Sequence, residues 1–116
     1  MSSLDIKGPG YRVYFDEASS TVHFEGSLRL GTSEYEPISN LLTVVADRKL
    51  AALHLRMTEL VFLNSSGINA LYKFAIALRK LGSIAVHVAA SSTIAWQAKS
   101  LPNLRKFLPT ITITMG

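Results

Sequence analysis

Apolar and polar residues change their spacing several times along the chain, and each change marks an element. Tyr11, Val13 and Phe15 alternate with Arg12, Tyr14 and Asp16, and Val22 and Phe24 alternate with Thr21, His23 and Glu25, which is the spacing of strands with one buried face. Glu17, Ala18, Ser19 and Ser20 between them are turn-like, so a hairpin is expected. After a polar, glycine-bearing stretch, Tyr35, Ile38, Leu41, Leu42 and Val45 recur at helical spacing and predict a helix from about Glu34 to Asp47, with Pro37 confined to its first turn. Leu50 to Met57 is apolar on both parities, as a largely buried strand should be. Ile68, Leu71, Ala75 and Leu78, widened by Tyr72 and Phe74, form a second helical stripe. Lys73, Arg79 and Lys80 supply its wet side, and Gly82 supplies its exit.

The last third of the chain repeats the alternation on a smaller scale. Ile84, Val86 and Val88 predict a strand, and Ser91, Ser92 and Thr93 are expected to cap a short helix carrying Ile94, Trp96, Ala98 and Leu101. Leu104, Phe107 and Leu108 add a turn before Pro109, and Thr110 to Met115 alternates as an edge strand would. Two strands followed by three helix–strand units imply an α/β fold: a mixed, mostly parallel five-stranded sheet with three to four helices packed mainly on one face.

Length and composition narrow the reading. The 116 residues are enough for one domain with one core, expected to span 1–116. The chain is 48% hydrophobic and 17% charged, a globular balance, and its 12 Lys and Arg against 8 Asp and Glu are scattered rather than massed. Without a basic patch, groove-reading motif or aromatic interleaving, nucleic-acid binding is not expected. No apolar run approaches the roughly 18 to 20 residues of a membrane span, and Met1 to Asp5 lacks the basic start and apolar core of a secretory signal, so a cytoplasmic, membrane-free protein is expected. The absence of cysteine removes disulfide and thiolate chemistry. His23, His54 and His87 fall in three separate predicted strands with no local ligand spacing, so no metal centre and no cofactor are expected. Ser65 is not in a nucleophile elbow and no His–carboxylate pair accompanies it, which argues against a serine hydrolase and against an enzyme generally. Trp96 is read as an anchor between helix and sheet.

The most informative segment is Leu60 to Leu71, where an apolar run meets Asn64, Ser65, Ser66 and Gly67 and then enters the second helix. Two hydroxyls therefore sit where the first helical N–H groups lack partners and the peptide dipoles favour an anion. Ser65 has two readings, a regulated hydroxyl or an N-cap. Ser66 would cap or lie in the first turn, Asn64 would make a local bond to the backbone, and Gly67 would permit close approach at the helix start. Thr58, Glu59 and Asn69 are candidates for the rim of a recognition surface, and Arg29 and Arg56 for pairing with an acidic partner or a phosphate, or else for ordinary salt bridges.

The element order, the Val22 to Leu28 approach to the first crossover, the Leu53–His54–Leu55 strand and the Phe62 to Ile68 junction together resemble the STAS domain, the fold of bacterial anti-sigma factor antagonists and of sulfate-transporter tails. In antagonists the junction usually reads Asp-Ser-Ser-Gly or Asp-Ser-Thr-Gly, and a partner kinase phosphorylates the serine after the aspartate. Carried over, that serine is Ser65. The resemblance implies a non-enzymatic partner switch in transcription regulation that binds a serine kinase/anti-sigma protein or related regulator through Arg29, Thr58, Asn64, Ser65, Ser66, Gly67 and Asn69. Phosphorylation would release the partner and a PP2C-type phosphatase would reset the switch. Two residues depart from the pattern: Asn64 stands for the usual aspartate, and Arg29 stands where an acidic residue is common. The competing expectation is an unphosphorylated scaffolding module that homodimerises, by way of its apolar tail strand, or joins a sensory assembly.

Overall fold

The computed structural model describes residues 4–82 and 84–116; Met1 to Ser3, on which the reading of the amino terminus partly rests, lie outside the described residues. Six strands form one sheet: β1 (Asp5–Gly8), β2 (Tyr11–Asp16), β3 (Thr21–Leu28), β4 (Ala52–Leu63), β5 (Ala85–Ala90) and β6 (Thr112–Met115). Their order across the sheet is their order along the chain. The first three pair antiparallel and the last three extend the sheet in parallel, so the mostly parallel α/β expectation holds with one strand more than the five expected. The addition is β1, which has a single apolar residue, Ile6, and therefore no alternation to read.

The helices are α1 (Glu36–Asp47), α2 (Ser65–Leu81), α3 (Ala95–Ser100) and α4 (Leu104–Phe107), with 3-10 turns at Thr32–Tyr35 and Leu101–Asn103. Pro37 does sit at the start of α1, and the segment before it is the tighter 3-10 turn rather than α-helix. Three crossovers each step to the next strand in the same direction, and because such connections take one hand they bring the helices to one face. Burial follows that geometry. Val13, Phe15, Val22, Phe24, Leu53, Leu55, Val86 and Val88 are buried under the helices, while Arg12, Tyr14, His23, His54, Arg56 and His87 stand on the uncovered face. No helix among the described residues is long and apolar enough to cross a membrane.

Strand β4 runs six residues beyond Met57, where the sequence pattern ends it, and two extra residues interrupt its pairing with β3. His23 pairs with Arg56 but Glu25 with Glu59, and Gly26 pairs with Leu60 but Ser27 with Phe62. These irregularities shift the parity, so that Met57 and Leu60 both face the core although they are three apart. They also leave backbone carbonyls unpaired within the core. The buried Gln97 amide of α3 donates to Met57 O (2.6 Å) and Leu60 O (2.9 Å), its Oε1 accepts from Ser91 N (2.7 Å), and Trp96 Nε1 donates to Leu60 O (3.0 Å). Trp96 is thus an anchor as expected. The Ser91–Thr93 segment does not cap α3, however: the N-cap is Ile94, without a side-chain bond, and the Ser91 hydroxyl instead turns its own loop by accepting from Thr93 N (3.3 Å).

Candidate protein-interaction site

At the end of β4 the chain leaves the sheet and enters α2 within one residue. Asn64 is extended (φ −81°, ψ 177°) and is the N-cap, its Oδ1 accepting from Gly67 N at 3.1 Å. The cap is therefore Asn64 and not Ser65, which occupies the first helical position. The same amide does more than cap. Its Oδ1 accepts from the Tyr35 hydroxyl at 2.6 Å and its Nδ2 donates to Leu30 O at 2.8 Å. The Tyr35 hydroxyl also lies 3.1 Å from Leu28 O, so one phenol ties the end of β3 to the start of α2. Burial raises the Tyr35 pKa above its ordinary value, which keeps the phenol protonated as a donor.

Gly67 completes the corner. A Cβ there would lie 2.3 Å from Leu63 Cδ1 and 2.7 Å from Tyr35 Oη, so its absence lets the helix start close against both. Ser66 Oγ is 3.1 Å from Thr32 Oγ1, joining the helix to the 3-10 turn. Ser65, by contrast, is exposed, and among the described residues its hydroxyl has no protein partner. The corner presents a free hydroxyl on a rigid frame at the electropositive end of a 17-residue helix.

The structure gathers some of the sequence candidates and separates others. Asn64, Ser65, Ser66 and Gly67 form the corner, and Asn69 stands exposed one turn along α2, beside a cleft of about 350 Å³ that Thr32, Ser66 and Lys73 also line. Arg29 lies on the adjoining loop, exposed, with its guanidinium 4.5 Å above the Phe62 ring. Thr58 and Glu59 are elsewhere: they lie six or seven residues before Ser65 on an extended strand, roughly 20 Å away along β4, with Thr58 Oγ1 accepting from Arg56 Nε (3.3 Å). Tyr35, Leu30 and Thr32 were missed as members of the site because nothing in local spacing links them to residue 64. The three histidines do fall on separate strands but share the uncovered face, His54 stacked on His87 and His23 on Tyr14. Among the described residues no three metal-ligating side chains converge.

No family model matches the chain. No curated protein matches it either. Solved structures do. A chain of the crystal structure of the diguanylate cyclase SiaD in complex with its activator SiaC from Pseudomonas aeruginosa superposes with a TM-score of 0.74 at 16% identity, over 97% of this chain and 99% of that one. SiaC of Pseudomonas aeruginosa superposes with a TM-score of 0.68 at 16% identity, over the full length of both chains. At that identity the likeness is one of fold, and it is a fold that spans this chain from end to end.

Proposed function

We propose that this chain is a non-enzymatic regulatory module of a bacterial signalling pathway, acting by protein association through the corner where β4 meets α2, with phosphorylation of Ser65 as its switch. The observation that carries the reading is the exposed Ser65 hydroxyl, without a partner among the described residues, at the first position of α2, on a corner braced by Asn64, Tyr35 and Leu30. A rigid corner favours docking because little order is lost on binding. The phosphate would add about −1.5 to −2 charges without demanding a new fold. Arg29, Asn64, Ser66 and Asn69 form the surface around the switch, with Arg29 offering a cation to a partner carboxylate, whereas Gly67, expected among the contacts, is buried against Leu63 and Tyr35 and lies beneath that surface. Thr58 belongs to the opposite, sheet-side surface. Two likenesses support a protein partner: SiaC is described as the activator of a diguanylate cyclase with which it forms a complex, and the Asn64 to Gly67 junction resembles that of STAS antagonists. That resemblance makes a serine kinase/anti-sigma protein or related regulator the partner class, with a PP2C-type phosphatase as the resetting enzyme.

The test is affinity capture with three forms of the chain: unmodified, Ser65→Ala, and phosphorylated at Ser65. The unmodified and Ser65→Ala forms should retain a common regulatory partner, and the phosphorylated form should lose it by about tenfold or more in affinity. Equal binding by all three forms would remove Ser65 as the switch, and absence of any partner would remove the association reading itself.

A further inference from the structure

We propose that His54 and His87 form a binding site for a late first-row divalent cation of the zinc or nickel kind, on the face of the sheet that the helices leave bare. The two residues are direct partners in the parallel β4–β5 ladder. The two rings stack with centroids 5.1 Å apart and planes inclined by 21°. His54 is exposed and His87 half-buried, and among the described residues neither ring makes a hydrogen bond to protein. Their lone pairs are therefore uncommitted.

The surroundings single out this pair. Thr21 and Thr112 flank it in the same row, and the Thr21 hydroxyl donates to Ser19 O (3.1 Å). Arg56, next along β4, turns its Nε to Thr58 Oγ1. His23 is held against Tyr14, with ring centroids 4.6 Å apart. Among the described residues no third ligand converges. The site is thus an open one, two imidazoles with the remaining positions left to water. Zinc–imidazole bonds are about 2.0–2.1 Å, which places two nitrogens on one tetrahedral ion about 3.3 Å apart. Ligation requires the two side chains to turn about their χ angles until one nitrogen of each ring reaches that separation. Imidazole without carboxylate or carbonyl selects zinc, nickel or copper over magnesium and calcium, which require oxygen ligands.

The experiment is calorimetric titration of the metal-free full chain with zinc and, separately, magnesium. One saturable zinc site per chain and no magnesium site are expected. His54→Ala and His87→Ala should each weaken zinc binding by about tenfold or more, and His23→Ala by less than about twofold, because only the first two remove a ligand. As a measurement independent of substitution, zinc should shift the imidazole proton resonances of His54 and His87 in the unsubstituted chain and leave those of His23 in place. No saturation at millimolar zinc, binding that survives His87→Ala, or His23 resonances shifting alongside the others would overturn the site.

Discussion

Asn64 shows how one side chain decides the character of the corner. An amide both accepts, from Gly67 N and Tyr35, and donates, to Leu30 O; an aspartate in its place could only accept. We expect Asn64→Ala to cost about 2–3 kcal/mol in denaturant unfolding, since it removes a cap and strands a loop carbonyl. Asn64→Asp keeps the cap and loses the Leu30 bond, so about 1 kcal/mol is expected, with faster amide exchange confined to the loop before the 3-10 turn. Gly67→Ala tests the close approach: the helix-propensity gain of about 1 kcal/mol is opposed by a Cβ 2.7 Å from the held Tyr35 hydroxyl, and the unfolding midpoint should fall. Tyr35 adds a pH signature. Its raised pKa means that the native chain keeps the phenolic proton where the unfolded chain has begun to lose it. Stability should therefore decline as pH rises through about 10 and above, and the decline should be shallower in Tyr35→Phe. At this scale the local bond from Asn64 to the backbone is legible in the sequence, because an amide, two hydroxyls and a glycine at a strand-to-helix junction have local meaning. The sequence misplaced the cap by one residue and was silent on Tyr35 and Leu30, whose bonds to Asn64 span 29 and 34 residues and leave no periodic trace.

Among the elements, α2 was the most legible: its apolar stripe, basic last turn and Gly82 exit all appear where the pattern places them. Strand β4 was the least. Its two extra residues break the alternation after Arg56, so the run from Met57 to Leu63 resembles neither a clean strand nor a helix. What keeps this irregular strand in place is Gln97, a fully buried amide from a six-residue helix forty positions downstream. Gln97→Leu preserves approximate volume but leaves Met57 O and Ser91 N without their side-chain partners, so a loss of at least about 2 kcal/mol is expected by chemical denaturation. Trp96→Phe, which leaves Leu60 O with its Gln97 bond, should cost less.

For the whole molecule, the fold class and the single helical layer were readable because strand and helix periods alternate along the chain, whereas β1 depends on pairing with β2 rather than on its own residues. Native-state hydrogen exchange should show the slowest amides in β2, β3, β4 and β5, which are paired on both sides, and the fastest strand amides in β1 and β6, which are paired on one. Uniform protection across all six strands would contradict this. The agreement between spatial and sequential strand order has a further consequence for biosynthesis. A chain emerging from its amino terminus lays down the hairpin first, and each later strand finds its neighbour already in place. No strand has to wedge between two that are already joined, so assembly can proceed outward from one edge at the pace of translation.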